Sequence, residues 1–444
     1  MFQHINEFHA WYEERSQAND YRVTPSPLTD LDGWRIEPGT ENIVHRTGKF
    51  FSVQGLRITT DHRARQQWSQ PIIVQPEIGV LGIVVRAVDG VVQCLMQAKM
   101  EPGNINTLQL SPTVQATKSN YTRVHQGGSV PYLEHFVDPH NALFDALQSE
   151  QGSWFLNKRN RNMIVEVTED LPLLDDFCWL TLNQLNELLA VPNLVNMDSR
   201  TVLSGMPFVQ ESYTEGEGHS VRQDPLHTFE NLLSWFTDVK SRYYLDRRLV
   251  PLNEVPDWHL LSGRIEHESG RYFTVLGVDI EASNREVSRW SQPMLQPVGR
   301  GVIAFLGKHI NDTFHVLVHA RTEAGTHDVV EMAPTVSCIP RNYDGVARQQ
   351  WPLYLDTVLD ADPSSVLFDV VHSEEGGRFY HAEDRYTVID VGEDFGIDTP
   401  RDYCWMTVEQ LTAFVRYGNY VNVAARCLLS CLPGALSRLA VARA

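Results

Sequence analysis

Trp68-Ser-Gln-Pro71 is followed 222 residues later by Trp290-Ser-Gln-Pro293, and this pair of tetrapeptides decides how the chain is organised. The same offset carries Gly48-Lys-Phe-Phe onto Gly270-Arg-Tyr-Phe and Ala98-Lys-Met-Glu-Pro-Gly103 onto Ala320-Arg-Thr-Glu-Ala-Gly325. It also carries Pro112-Thr-Val onto Pro334-Thr-Val, and Asn120-Tyr121 onto Asn342-Tyr343. Farther along the offset is 224, pairing Leu143-Phe-Asp with Leu367-Phe-Asp and Ser149-Glu-Gln-Gly with Ser373-Glu-Glu-Gly. Near the ends it is 226, pairing Cys178-Trp-Leu-Thr with Cys404-Trp-Met-Thr and Val195-Asn196 with Val421-Asn422. Collinear matches that drift by two residues at a time are what a tandem duplication with short loop insertions leaves behind. Two domains are therefore expected, over residues 1–207 and 226–444. They are joined by an exposed linker over 208–225, rich in Glu, Gly, Ser and His.

Within each copy the hydrophobic period alternates between helix and strand. Phe2, Ile5, Phe8, Trp11 and Tyr12 follow helical spacing, as do Phe229, Leu232, Trp235 and Phe236. The runs Ile78 to Val85, Val91 to Met96, Val302 to Leu306 and Phe314 to Val318 read as buried strands, and Asp89-Gly90 as a hairpin turn between two of them. Thr181-x-x-Gln184 and Thr407-x-x-Gln410 have the form of capping boxes that open helices. The fold class expected is α/β (α+β), in duplicate.

Composition narrows the partners. With 37 basic and 56 acidic residues the formal charge is −19, which argues against nucleic acid, since phosphate backbones are bound by a basic face. One small phosphorylated molecule remains compatible, because net charge is not local charge. No apolar run approaches the length of a membrane span, and the chain opens on no secretory signal, so a cytoplasmic protein is expected. The six cysteines lack zinc-ligand spacing and read as buried thiols. Lysine is scarce: Lys49, Lys99, Lys118, Lys158, Lys240 and Lys308 are all there are.

Two of those lysines fall in the densest polar stretch of the first copy, Gln97 to Gly128, which holds Gln97, Lys99, Glu101, Gln115, Lys118, Asn120, Tyr121, Arg123 and His125. Alternation along a strand sends Gln97, Lys99 and Glu101 to one face. That face is either a functional pocket or an ordinary solvated surface with a Lys–Glu pair. The second copy has Arg321 in place of Lys99, keeps Glu323, Thr335, Asn342 and Tyr343, and loses the Thr-Arg-Val-His run. His327-Asp-Val-Val-Glu331 has i, i+4 spacing but no third ligand in sequence, so an ordinary polar face is preferred to a metal site. No Walker A, dinucleotide fingerprint or GxSxG elbow is present. Acid–base chemistry or binding remains.

The stretch Ser-Pro-Thr-Val-Gln-Ala-Thr-Lys-Ser-Asn-Tyr-Thr-Arg-Val-His, starting at Ser111, together with the two Trp-Ser-Gln-Pro motifs and the two-copy layout, resembles the nucleotide-diphosphate-hexose 2,3-dehydratases. The resemblance spans nearly the whole chain. It implies two tandem Nudix-like domains, a homodimer and nucleotide-sugar pockets formed by both copies. No Arg-Glu-x-x-Glu-Glu box of metal-dependent Nudix hydrolases is present. The substrate implied is dTDP-4-keto-6-deoxyglucose, used in making deoxysugars for bacterial natural products such as antibiotics. Removing water across carbons 2 and 3 requires a base, an acid and donors for an enolate oxygen, with no metal and no redox cofactor.

On that reading the reacting pocket lies in the first copy. Lys118, Tyr121, His125 and Glu101 are the candidates for proton transfer. Lys99 and Arg123 suit the ketone oxygen or the diphosphate, Trp68 suits the thymine, and Gln97, Thr113, Gln115 and Asn120 line the pocket. Trp290, Arg321, Glu323, Thr335, Asn342 and Tyr343 line a second pocket that binds without reacting. The rival readings are a metal-dependent nucleotide-sugar hydrolase, which a chelator would silence, and a non-catalytic partner protein of a glycosyltransferase, which would bind nucleotide sugar without turnover.

Overall fold

The computed structural model describes residues 2–62, 65–117, 130–214, 224–283 and 287–443. The first repeat opens on helix α1 (Ile5–Ala18) and continues through β1 (Tyr21–Ser26), β2 (Trp34–Ile36), β3 (Ile43–His45), β4 (Ser52–Thr60), β5 (Gln67–Val74), β6 (Gly79–Val88) and β7 (Val91–Met100). Then follow β8 (Leu108–Ser111), β9 (Val114–Ala116), α2 (Glu134–Val137), β10 (Ala142–Ser149), β11 (Arg159–Glu166) and β12 (Phe177–Thr181). Three helices close the repeat: α3 (Leu182–Leu188), α4 (Met197–Leu203) and α5 (Met206–Thr214).

The second repeat runs from α6 (Phe229–Arg242) into β13 (Leu245–Val250), β14 (Trp258–Leu261), β15 (Arg264–His267), β16 (Phe273–Ala282), β17 (Arg289–Pro297), β18 (Gly301–Ile310) and β19 (Thr313–Arg321). It continues with β20 (Glu331–Ala333), β21 (Val336–Cys338), α7 (Leu355–Leu359), β22 (Val366–Ser373), β23 (Glu383–Asp390), β24 (Tyr403–Thr407), α8 (Val408–Phe414) and α9 (Val423–Arg443). Each strand of the first repeat thus has its counterpart twelve strands later among the described residues.

Local chemistry accounts for the elements. The apolar stripe of α1 buries Phe8 and that of α6 buries Leu232, Phe236 and Val239. Alternate residues of β6 serve two cores, Leu81, Ile83 and Val85 on one face and Val80 and Val84 on the other, which is why the strand reads as an unbroken apolar run. Asp89 and Gly90 turn β6 into β7 with φ of 51° and 77°, the paired left-handed geometry of a tight hairpin. Both capping boxes form, at Thr181 with Gln184 and at Thr407 with Gln410. The architecture is mixed α and β, dominated by sheets.

Each repeat contributes a seven-stranded mixed sheet. In the first the order is β10-β11-β6-β7-β12, with β11 parallel to β6, β8 beside β7 and β9 beside β6. In the second the equivalent strands follow the same plan, with β23 parallel to β18.

The smaller sheets join the two repeats. β1 of the first repeat pairs antiparallel with β16 of the second, Tyr21 opposite Ala282 through Ser26 opposite Gly277. Reciprocally, β13 of the second repeat pairs with β4 of the first, Leu245 opposite Thr60 through Val250 opposite Gly55. Each repeat therefore lends a strand to the other. Counterpart phenylalanines, Phe155 and Phe379, meet at the junction with ring centroids 5.4 Å apart and are each 1% exposed. Two buried arginines also cross the seam: Arg200 donates to the Ser373 carbonyl and Arg426 to the Ser149 carbonyl, at 2.6 Å for the second.

One boundary shifts. Phe208 and Val209, expected to begin the exposed linker, are instead buried in α5, where Phe208 stacks on Phe144 at 5.8 Å. Apolar side chains that find a core continue the helix past the point where composition turns polar. All six cysteines are free thiols, five of them buried and Cys338 half-buried. No helix among the described residues is long and apolar enough to cross a membrane.

Candidate active site

The polar stretch that begins at Gln97 is not a solvated face. Lys99 is 9% exposed and Glu101 5%. β7 carries Lys99 to its end and delivers Glu101 just beyond, while β8 folds back beside it and β9 beside β6. At this fold Thr113 acts as a clasp, its hydroxyl donating to the Leu95 carbonyl and accepting from the Val84 amide at 2.9 Å. Gln115 then returns beside Lys99. Lys99 Nζ donates to the Gln115 carbonyl at 3.0 Å, and Gln115 Nε2 donates to Glu101 Oε1 at 2.7 Å. Ser111 Oγ donates to Gln115 Oε1 at 2.7 Å. Asn196, the N-cap of α4, donates to Ser111 Oγ at 2.9 Å and reaches Glu101 Oε2 at 3.5 Å.

The rest of the site comes from the other repeat. The loop joining β22 to β23 brings Glu374, Glu375, Gly376, Gly377 and Arg378 against this network. Gly103 N–H donates to the Gly376 carbonyl at 2.7 Å, and the Gly103 carbonyl accepts from His381 N–H at 2.8 Å. The backbones touch so closely that a β-carbon on Gly103 would lie 1.8 Å from the Phe379 carbonyl oxygen. Gly377 is different: a β-carbon there would stand in ordinary contact, 3.5 Å from Glu101 Oε1 and 3.5 Å from Glu375 Oε1. The two carboxyl groups thus flank one small space over a residue without a side chain.

Further charges close in behind. Arg378 donates to Gln75 Oε1 at 3.1 Å and lies over the Phe51 ring at 4.3 Å. Lys158 donates to Asn160 Oδ1 at 2.9 Å and to the Glu77 carbonyl, and Asn160 donates to Glu150 Oε1 at 2.8 Å. Glu374 accepts from Tyr386 at 2.6 Å and from Gln151 of the first repeat at 2.8 Å.

This crowding perturbs the ionisations. Burial, then the negative charge of Glu150, pushes the Glu375 carboxyl up to about 8 against the pull of Arg378 and Lys158. Burial, with Glu375, Glu101 and Glu150 nearby, holds Asp198 well above the usual carboxylate range, and burial lowers Lys158. Gln97, Gln115, Thr117, Glu375 and Arg378 are each half-buried. The arrangement offers an anchored carboxylate, a carboxyl held protonated near neutrality and several cations, the parts of an acid–base site for an anionic substrate.

The second repeat has a plainer counterpart. Arg321 pairs with Glu323 at 3.3 Å, Ser153 of the first repeat donates to Glu323 at 3.1 Å, and Gly325 N–H donates to the Gly152 carbonyl at 2.6 Å. Thr335 repeats the clasp, on the Leu317 carbonyl and the Leu306 amide. Ala333, Ser337 and Ala424 stand where the first repeat has Ser111, Gln115 and Asp198, and the facing loop has Gln151 where the other has Glu375. Asn342 accepts from the Tyr272 amide at 3.0 Å, and Tyr343 packs against the apolar cluster that includes Val336 and Trp405.

The two Trp-Ser-Gln-Pro motifs support these loops. Trp68 donates its indole N–H to Gln70, which donates to the Ser153 carbonyl at 2.8 Å. Trp290 likewise donates to Gln292, which donates to the Gly377 carbonyl at 2.7 Å. Of the residues expected in the first pocket, Lys99, Glu101 and Gln115 come together, Gln97 is half-buried on β7 and Thr113 lies in the turn between β8 and β9. Lys118, Asn120, Tyr121, Arg123 and His125 lie outside the described residues. Glu331 of the expected polar face is buried against Ser149 and His327 is half-buried, and no three potential metal ligands gather among the described residues. Sequence reasoning missed Asp198, Glu150, Lys158, Glu375 and Arg378. The signal was the repeated Ser-Glu-(Gln/Glu)-Gly, used there only to align the copies.

Comparison with known proteins agrees with this layout. The family described as NDP-hexose 2,3-dehydratase matches residues 5–206 and again 229–432, one match per repeat. A dTDP-4-dehydro-6-deoxy-alpha-D-glucopyranose 2,3-dehydratase of Streptomyces violaceoruber is 56% identical over 434 residues, covering 96% of each chain. Relatives of the same name from Saccharopolyspora spinosa and Amycolatopsis orientalis are each 47% identical, over 96% and 97% of this chain and 90% of theirs. With both repeats matched and full-length relatives at such identity, the chain belongs to the NDP-hexose 2,3-dehydratase family.

Proposed function

We propose that the protein is a lyase that removes water across carbons 2 and 3 of dTDP-4-keto-6-deoxyglucose, giving a 3,4-diketo-2,6-dideoxy sugar. The observation that carries this reading is the 56% identity, over nearly the whole of both chains, to a dehydratase named for that substrate. The chemistry is redox-neutral. The 4-ketone acidifies the proton on carbon 3, a base removes it, and the electron pair becomes an enolate on the carbon 4 oxygen. Collapse of the enolate expels the 2-hydroxyl as water once an acid protonates it, and the resulting enol ketonises at carbon 3.

Glu101 accepts the carbon 3 proton, a role supported by the hydrogen bonds from Gln115 and Asn196 that orient it. Lys99, Lys158 and Arg378 supply positive charge for the enolate oxygen and the diphosphate. Lys118, Tyr121 and His125, next in sequence after the half-buried Thr117, remain candidates for proton transfer, and Asn120 and Arg123 for binding. In the second repeat Arg321, Glu323 and Ser153 offer a pocket that binds nucleotide sugar without reacting. The family resemblance further supports Nudix-like repeats, a homodimer and a place in deoxysugar biosynthesis for natural products.

The test is incubation of purified protein with dTDP-4-keto-6-deoxyglucose and a chelator, followed by mass spectrometry. Loss of one water from the intact nucleotide sugar is expected. Release of a sugar phosphate only when metal is restored would replace this reading with hydrolysis.

A further inference from the structure

We infer that Glu375, carried by the second repeat, reaches across the seam to protonate the departing 2-hydroxyl in the pocket of the first. The inference rests on the dehydratase reading and names its acid.

Geometry is the first support. Glu375 and Glu101 each place an oxygen 3.5 Å from the same point above Gly377, so one small group lying there meets both. Elimination needs such a pair, one group receiving the proton from carbon 3 and another delivering one to the oxygen on carbon 2. The two carboxyls are not equivalent. Glu101 accepts from Gln115 and Asn196, which hold it in place. Glu375 Oε2 is buried and has no hydrogen-bond partner among the described residues. Its surroundings from every side are Glu101, Glu150, Asp198, Lys158 and Arg378, and with burial they leave it protonated up to about pH 8. Burial also raises Asp198, but it is 4% exposed at the start of α4, whereas Glu375 is half-buried.

The duplication supplies the second support. The loop facing the second pocket carries Gln151 where the loop facing the first carries Glu375. An amide cannot give up a proton as an acid does, so the pocket of Arg321 and Glu323 keeps a carboxylate and a cation but lacks this donor. Each repeat thus completes the site of the other, and the asymmetry of the two loops assigns the reaction to one of them.

The test is Glu375→Gln, with folding checked by circular dichroism and thermal unfolding. Turnover of dTDP-4-keto-6-deoxyglucose is expected to fall by about 10²–10⁴-fold with KM little changed. The wild-type kcat should decline as pH rises through about 8, and that limb should vanish in the variant. Two further readouts separate an acid from a base or a strut. In D₂O the variant should still exchange the carbon 3 proton of unreacted sugar. The 2-deoxy-2-fluoro analogue, whose fluoride leaves with its electron pair and needs no proton, should be turned over by the variant within about tenfold of wild type.

Wild-type turnover in the variant overturns the assignment, as does loss of carbon 3 exchange or an equal loss on the fluoro analogue. Should the glutamine variant not fold, Glu375→Asp keeps the carboxyl at a shorter reach, and a fall in kcat there that is equal on the fluoro analogue overturns it too. If the wild-type protein itself fails to dehydrate the sugar, the fault lies in the dehydratase reading, so the two failures are distinguishable.

Discussion

Replacing Glu331 with glutamine will stabilise the protein by an amount that grows with pH. Glu331 opens β20 at 4% exposure, accepts one hydrogen bond from Ser149 Oγ at 2.9 Å through Oε2, and leaves Oε1 without a partner among the described residues. Burial pushes its carboxyl from an ordinary 4.5 up to about 7, with the Ser149 hydrogen bond and Arg426 opposing. The sign follows from linkage. A carboxyl whose folded value is raised costs nothing below pH 4.5, where both states are protonated. Between 4.5 and 7 the unfolded chain ionises and the folded one does not, so stability falls with each pH unit by about 1.4 kcal/mol. The full penalty above pH 7 is about 3 kcal/mol.

Glutamine removes that penalty, and the fold already holds the precedent. Gln109, in the equivalent place of the first repeat, donates to Ser373 Oγ at 2.8 Å. Unfolding midpoints of both proteins in urea at pH 5, 7 and 9 test this. The advantage of the variant should be about 1 kcal/mol at pH 5 and about 3 kcal/mol at pH 9. A pH-independent difference, or a variant less stable at pH 9, would mean that Glu331 is ionised and paired with Arg426, and the reasoning fails.

Other substitutions probe the seam and the pockets. Gly103→Ala drives a methyl into the Phe379 carbonyl and should cost about 3 kcal/mol or more, read as a lower unfolding midpoint; an unchanged midpoint would show that the loops part freely. Gly377→Ala sets a methyl between Glu101 and Glu375 without backbone strain, so kcat/KM should drop by about 10²-fold while the unfolding midpoint stays put, and normal activity would empty that space of substrate. Lys118→Ala should lower turnover by about 10²–10⁴-fold if Lys118 transfers a proton, whereas Arg321→Ala should leave turnover nearly intact; a collapse with Arg321→Ala would show that the second pocket takes part.

The elements were legible because their signals are local. β6 and β7 announced themselves by apolar runs around Asp89-Gly90, and the helices after β12 and β24 by their capping boxes. The partner of each strand was not legible. Tyr-Arg-Val-Thr-Pro-Ser of β1 reads as a strand, but nothing in it distinguishes the edge of its own sheet from that of the other repeat. The same limit hid half of the candidate site. Lys99, Glu101 and Gln115 were visible because they crowd within one stretch. Glu375 and Arg378 sit among glycines and read as a surface turn, and only the contact of that turn with Gly103, some 270 residues away in sequence, makes them part of a pocket.

The exchanged strands also bear on how the chain is made. β4 emerges early, yet its neighbour β13 is synthesised about 185 residues later, and β1 waits about 250 residues for β16. At a ribosomal pace of about 5–20 residues per second, β1 stays unpaired for roughly ten seconds to a minute. During that interval an edge strand is open to pairing with any passing chain. Expression of the first repeat alone would prolong that state indefinitely, and the product should aggregate or form exchanged dimers. Co-expression of residues 1–214 and 224–444 as separate chains should instead let each find its missing strand in the other.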